Sequence, residues 1–368
     1  MKISMIGPVY PYRGGIAHYT TSLAIALKNA GHDVKTISFR RQYPAFLYPG
    51  ASDKDPSANP IRVEAEYLLD PIYPWTWQQA VREILASNAE LVLIQWWTTF
   101  WGPAYAALAF QLKKKVQVVY LVHNVLPHED RVWDRRLAHL ALGQASAFII
   151  QTSNEQKKLL GLIPHARIWF CTHPIYQRFS EQIISKDAAR QQLGLPINKP
   201  VLLFFGIVRP YKGLELLIEA IARSDSSVHL VVAGEFWENI DLYRKQINDL
   251  GLNGRVVLFN KYIPNEEAHL VFCSADALVA PYVGGTQSGV AELALGYGLP
   301  IIVSDRIAPG ITETNIPLQV VPAGDVTALA TAIDQLARNS PNLPVAQPAN
   351  ENWHQMVKTV EDIRYRPF

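Results

Sequence analysis

The sequence predicts an α/β protein made of two doubly wound parallel sheets, and three observations carry that expectation. Short β-branched, apolar runs alternate with amphipathic stretches along nearly the whole chain. The alternation starts twice, each time as strand, glycine loop and helix, once at Lys2 and again after Pro200. At 368 residues the chain is also too long for one ordinary hydrophobic core and comfortable for two.

In the first series the strands read as Lys2–Ile6, Asp33–Phe39, Leu91–Gln95, Val116–Val122 and Ala147–Gln151. Between the first two lies a helical pattern, Ile16–Ala30. Its Ala17, Leu23, Ala24, Leu27 and Ala30 fall near one face, and Gly31 closes it. The second series reads as strand Val201–Phe205, helix Leu214–Arg223, then strands His229–Ala233, Val256–Phe259, Ala277–Ala280 and Ile301–Val303. The break falls between Thr172 and Lys199, where a His173-Pro174 turn meets a polar helix, Lys186–Leu193. The expected domains are therefore 1–175 and 176–349, with a last amphipathic helix, Trp353–Tyr365, packing back on the first. Two such sheets facing each other would bind ligand in a cleft at their carboxyl edges. Arg40–Pro60 is polar and proline-rich, a loop long enough to suggest function, and Ser340–Asn350 reads as a connector.

Composition narrows the class. Hydrophobic content of 49% with 18% charged residues describes a soluble globular chain. Cys171 and Cys273 make neither a disulfide framework nor a zinc site. With only two cysteines, a reducing cytoplasm is the expected location, and the apolar stretch of Met1–Gly7 is too short for a signal peptide. Leu91–Leu112 carries no charge, but Gln95, Thr98, Thr99 and Gly102-Pro103 interrupt it. A buried strand, an aromatic loop and a helix from Pro103 fit better than a membrane span. Residues 1–175 carry 18 Lys/Arg against 12 Asp/Glu, and 176–368 carry 16 against 20. The basic first half points to an anionic partner or the inner face of a membrane, or to nothing beyond surface charge.

Chemistry concentrates in a few blocks. Gly206-Ile-Val-Arg209-Pro-Tyr-Lys212-Gly213 follows a buried strand and precedes a helix. Two cations three apart beside a helix N-terminus make an anion site; the alternative is an exposed loop with solvated charges. The second block is Tyr282-Val-Gly284-Gly285-Thr286-Gln287-Ser288-Gly289-Val290-Ala291-Glu292, continuing to Gly298-Leu-Pro300. Its glycines let backbone N–H groups approach a phosphate. Glu292 stands among apolar neighbours and needs a partner, either a ribose diol or an ordinary backbone amide or arginine.

These blocks and their spacing resemble the retaining glycosyltransferases of family 4, which have the GT-B fold of two Rossmann-like domains, and the resemblance covers nearly the whole chain. It implies that Arg209 and Lys212 clamp the diphosphate of a nucleotide-sugar donor and that Glu292 binds its ribose. Two departures stand out. The family's first glutamate, eight positions before the second, is here Gly284, so contact with the transferred sugar would fall to Thr286, Gln287 or backbone, with Ser288 and Gly289 also expected to bind the donor. The arginine usually follows the glycine directly, where this chain has Ile207.

In the first half, Tyr12-Arg13-Gly14-Gly15-Ile16-Ala17-His18 links strand to helix, like the family's glycine loop against the donor. It is not a Gly-x-Gly-x-x-Gly fingerprint, which disfavours a dehydrogenase. His123 ends a strand where the family places a histidine near the sugar, and is the expected catalytic-site residue. His128-Glu129-Asp130 are adjacent and cannot all face one ion, and no Asp-x-Asp site appears, so no metal or other cofactor is expected. Trp96, Trp97, Phe100 and Trp101 are either a stacking platform for a sugar, an apolar lip for a lipid, or packing under the next helix. With Lys113-Lys114-Lys115 they suggest a membrane-associated or lipid-linked acceptor.

The expected reaction moves a sugar from a nucleoside-diphosphate sugar to a glycan or lipid-linked hydroxyl with retention, as in polysaccharide biosynthesis. The rivals are a sugar-nucleotide epimerase on the same scaffold and a non-catalytic sugar-nucleotide-binding protein.

Overall fold

The computed structural model describes residues 1–127, 131–176, 184–225, 227–339 and 353–365. The chain divides into two compact units. One comprises Met1–Asp55, Pro60–Thr172 and Asn352–Phe368; the other comprises Pro56–Asn59 and His173–Glu351.

The first unit runs β1 (Lys2–Ile6), α1 (Gly15–Asn29), β2 (Asp33–Phe39), β3 (Glu66–Leu69), α2 (Pro74–Ala86), β4 (Leu91–Trp96), α3 (Gly102–Leu112), β5 (Gln117–Val122), α4 (Asp134–Leu142), β6 (Ala147–Ile150), α5 (Ser153–Leu162) and β7 (Ile168–Phe170). The second runs α6 (Lys186–Leu193), β8 (Val201–Phe205), α7 (Leu214–Arg223), β9 (His229–Ala233), α8 (Ile240–Asp249), β10 (Val256–Phe259), α9 (Asn265–Ser274), β11 (Ala277–Ala280), α10 (Gly289–Gly296), β12 (Ile301–Ser304), β13 (Leu318–Val321) and α11 (Val326–Asn339). The last helix, α12 (Trp353–Tyr365), belongs to the first unit and lies against α1, where the Trp353 ring meets Tyr19 edge-on at 5.1 Å.

Each sheet is parallel throughout. The first has strand order β3-β2-β1-β4-β5-β6-β7 and the second β10-β9-β8-β11-β12-β13. The central strands are buried on both faces by helices, which is why Leu91–Trp96 and Val201–Phe205 read as unbroken apolar runs. In both sheets the order reverses next to the first strand, between β1 and β4 and between β8 and β11. Crossovers leave there in opposite directions, which opens a crevice at the carboxyl ends of those strands.

The amino edge of the second sheet is closed by a buried ion cluster. Asp276 accepts from Lys186 Nζ at 2.7 Å, Arg190 Nη2 at 2.6 Å and the Val201 N–H at 2.7 Å. Burial alone would raise its pKa. The Lys186 and Val201 hydrogen bonds and the two cations overcome that and hold it below the usual carboxylate range.

The charge-free stretch from Leu91 divides into β4, a short turn and α3, and no described helix is long and apolar enough to cross a membrane. Trp96 and Trp101 are fully buried among Phe39, Tyr105 and Tyr120. The stacking-platform reading fails for these two, because their faces are already taken by core rings. Trp97 and Phe100 remain partly exposed.

Candidate active site

The glycine loops singled out in the sequence sit at the two switch points. In the second unit, β8 leads through Gly206 into Arg209-Pro-Tyr-Lys212, and Gly213 starts α7 in a left-handed conformation, φ 71°. A side chain at Gly213 would collide with the Pro281 carbonyl, so glycine is required on both counts. The neighbouring strand β11 feeds Tyr282–Ser288, whose Val283 and Gly284 N–H groups bond to the Tyr211 carbonyl at 2.8 and 3.3 Å. A side-chain carbon at Gly206 would lie 3.4 Å from both Lys212 Nζ and Val290 Cγ2. The cation thus arrives beside the start of α10.

Lys212 is only 8% exposed and pairs with no acid among the described residues. The charge that acts on it is another cation, Arg209. Burial lowers the ammonium pKa; Tyr211 opposes this and the Arg209 charge adds to it. A buried, unpaired cation is costly unless a ligand supplies the anion. Arg209 is held between the rings of Tyr211 and Trp237, 5.6 and 5.8 Å from their centroids. That stacking braces the guanidinium at the carboxyl edge.

Ser288 caps α10, its Oγ accepting from the Ala291 N–H at 3.3 Å. Thr286 is buried just before it, and Gln287 precedes the cap. Gly289 and Gly296 lie seven apart on one face of α10, against the His173–Tyr176 segment. A side chain at Gly296 would strike the Tyr176 carbonyl, and one at Gly289 would press on the Tyr176 ring. Glu292, 1% exposed, is held by Thr312, whose N–H donates to Oε1 at 3.0 Å, while Oε2 is buried without a hydrogen-bond partner among the described residues. Burial pushes its pKa up to about 8, with the Thr312 hydrogen bonds pulling the other way. The ordinary reading of Glu292, a carboxylate satisfied by a backbone amide, therefore accounts for one oxygen of two.

In the first unit, Gly14 opens α1 at φ 101°. The Ala17 and His18 N–H groups turn back to the Gly14 carbonyl at 3.0 and 3.1 Å. Gly15 is exposed, and both glycines have open space where a side chain would stand. His123 at the end of β5 is buried. Its Nε2–H donates to Gln95 Oε1 at 2.8 Å, and its ring meets Tyr19 edge-on at 4.7 Å. Gln151 Nε2 donates to the Tyr19 hydroxyl at 2.7 Å. The histidine is thereby oriented by residues at the ends of β4 and β6 and on α1.

Sequence reasoning missed Gln95, Tyr19, Thr312 and Trp237. Gln95 had a signal, the one polar residue in a buried run. Thr312 had none, because it reaches Glu292 across twenty residues. His128-Glu129-Asp130 lie outside the described residues, as do Ser340–Asn350. Among the described residues, no cluster of three His, Cys, Asp or Glu side chains is placed to hold a metal ion.

The fold and these loops define the class: a GT-B architecture of two parallel-sheet Rossmann-like units. Comparison with known proteins resolves it further. Residues 14–169 match the model of the glycosyl transferase 4-like domain, and residues 199–339 match that of glycosyl transferases group 1. Among curated relatives, the D-inositol 3-phosphate glycosyltransferase of Corynebacterium glutamicum is 28% identical over 161 residues, 40% of this chain and 38% of that protein. Its counterpart from Mycobacterium bovis is 27% identical over 207 residues, 53% and 42%. The chain thus spans about two fifths of the length of these relatives. They carry a glycosyltransferase name, as both matching family models do. Among solved structures, Anabaena HepE in complex with UDP and glucose superposes with a TM-score of 0.70 at 18% identity, covering 98% of each chain. Sucrose-phosphate synthase from Thermosynechococcus elongatus gives 0.67 at 18%, covering 99% and 96%.

Proposed function

We propose that this chain is a retaining glycosyltransferase of family 4 that moves a sugar from a nucleoside-diphosphate sugar to a hydroxyl of a glycan or lipid-linked glycan. The observation that carries this is a pair of incompletely satisfied buried groups at one switch point: among the described residues, Lys212 has no acid beside it and Glu292 keeps an oxygen without a hydrogen-bond partner. A nucleoside diphosphate offers what both lack, phosphate oxygens for the cation and a ribose diol for the carboxylate.

In this reading Arg209, Lys212 and the first N–H groups of α10, at Ser288 and Gly289, stabilise the diphosphate as it departs with the bonding electrons of the anomeric C–O bond. That is electrostatic catalysis by groups already in place. Thr286 and Gln287 line the sugar side, standing in for the carboxylate that Gly284 lacks. The family resemblance gives Gly14, Gly15 and His123 of the first unit roles toward the donor and its sugar, and Gln95 fixes the His123 ring. Protein cations neutralise the phosphates, so the reaction proceeds without a metal. UDP-sugars are the first donors to test, since the similar fold of Anabaena HepE is seen in complex with UDP and glucose.

A thermal-shift screen against UDP-, GDP-, ADP- and dTDP-sugars tests the reading, because a ligand of the folded state raises Tm. One sugar nucleotide should raise it and then be consumed only when an acceptor is present. A Tm rise with no transfer to any acceptor would favour the second reading, a sugar-nucleotide-binding protein, to which Gly284 lends weight. No shift with any of them would remove both.

A further inference from the structure

Two neighbouring helices of the first unit carry a surface that the donor chemistry does not use. On α4 and the residues leading into it, Val132 is 88% exposed, Trp133 55% and Leu140 49%; on α3, Phe110 is 62% exposed. These are large apolar groups in water, and cations surround them. Arg131, Arg135, Arg136 and His139 are exposed or half-buried on the α4 side, and Lys113, Lys114 and Lys115 are exposed at the end of α3.

Close contacts join the apolar and cationic side chains in two groups, one at each end of the α3–α4 face. Lys113 Nζ lies 5.2 Å from the Phe110 ring centroid and donates to Gln144 Oε1 at 2.8 Å; Gln144 Nε2 in turn donates to the Leu140 carbonyl. Arg131 lies over the Trp133 ring at 5.6 Å. Of the three acids from Pro103 to Gln144, Glu129 and Asp130 lie outside the described residues, and Asp134 is turned inward to Thr99 and the Arg131 N–H. The lysine triplet is thus accompanied by Phe110 and Leu140, while Trp133 and Arg131 stand at the other end of the face, where Asp134 accepts from Thr99. Trp96 and Trp101, the sequence's candidates, are in the core, and the triplet sits at the opposite end of α3 from them.

The geometry points to this α3–α4 face as a docking surface for an anionic lipid bilayer. Apolar tips seat in the headgroup boundary while guanidinium and ammonium groups pair with lipid phosphates, and each such cation strengthens binding. The surface sharpens the proposed lipid-linked acceptor and rests on that reading only for its tie to activity.

The test is co-sedimentation of the full chain with vesicles of phosphatidylcholine alone or with phosphatidylglycerol. Wild type should pellet with the anionic vesicles at low salt, ignore the neutral ones, and be released by salt. An Arg135→Gln/Arg136→Gln variant should bind roughly tenfold or more weakly. Trp133→Ser/Leu140→Ser should lose the fraction that resists salt. A sugar-nucleotide thermal shift equal to wild type shows that each variant is folded, and Lys114→Gln/Lys115→Gln replaces any that is not. The inference is overturned if wild type ignores anionic vesicles at low salt or if the variants bind like wild type. It is also overturned if centrifugation shows the apolar tips holding two copies of the chain together instead. Vesicle binding without sugar-nucleotide binding would keep the surface and remove the glycosyltransferase reading; the reverse result would do the opposite.

Discussion

The second sheet buries a carboxylate at each edge, and the two are treated in opposite ways. At the amino edge Asp276 receives three hydrogen bonds, two of them from cations, and its pKa falls. At the carboxyl edge Glu292 receives one backbone hydrogen bond, keeps an oxygen without a partner, and its pKa rises to about 8. The cations divide in the same way: Arg190 is buried and paired with Asp276, whereas Lys212 is buried over the Tyr282 ring with no acid paired to it among the described residues. Burial is similar at the two edges, so burial does not distinguish them. Satisfaction does. A closed cluster ties α6 to β8 and β11, while the pair at the switch point is left incompletely satisfied among the described residues, as the proposed donor site requires.

Breaking the closed edge should have the largest effect. Asp276→Ala leaves Arg190 buried without its anion and should cost about 3–5 kcal/mol of stability, read by denaturant unfolding. Sugar-nucleotide affinity in the folded fraction should stay unchanged; a selective loss of affinity would erase the contrast between the edges. Lys212→Ala should leave stability near wild type or improve it, and cost about 1.5–3 kcal/mol of binding for a nucleoside diphosphate. The nucleoside alone should bind as before, and equal loss for both ligands would place the lysine away from phosphate.

Glu292→Gln sharpens the comparison through pH. A carboxyl whose folded pKa lies above its unfolded value holds its proton longer in the folded state. Its contribution is therefore fully present below the unfolded pKa of about 4.5 and declines as pH rises toward about 8. Wild-type stability relative to the Gln variant should fall across that window, whereas Asp276, with its lowered pKa, should contribute above its unfolded value and lose that contribution in acid. A flat difference between wild type and Glu292→Gln would mean that the carboxylate is solvated. A smaller effect is expected from Gln95→Leu, which frees the His123 ring: turnover should drop by roughly tenfold with little change in donor affinity. The reverse split would make His123 a donor-binding group only. The smallest effect is expected from EDTA, which should leave transfer unchanged; abolition restored by magnesium or manganese would contradict the metal-free mechanism.

Much of this was readable beforehand, for physical reasons. Val201–Phe205 and Ala277–Ala280 are central strands, buried on both faces, and announce themselves as apolar runs. The strands that escaped notice are β3, β7 and β13, each at a sheet edge. Edge strands are short and half exposed, as Glu66-Tyr67 and Leu318 show, so they carry neither a solid apolar run nor clean alternation. Lys212 and Glu292 were legible because glycine loops bracket them locally. Thr312, Trp237 and Gln95 act through tertiary contacts that local spacing does not encode. The Trp96–Trp101 aromatics were ambiguous because a ring after a strand looks the same whether its face meets a ligand or, as here, Phe39 and Tyr105.

The claim that the open carboxylate receives a ribose diol has a direct test. Calorimetric titration of the protein with a UDP-sugar, or with whichever sugar nucleotide the screen selects, is run near pH 7 in buffers of different ionisation enthalpy and counts the protons exchanged on binding. Two hydroxyls donating to Glu292 would stabilise its charged form, so binding should release close to one proton, and the release should vanish in Glu292→Gln. No proton exchange in the wild type, or the same release from the Gln variant, would contradict the account.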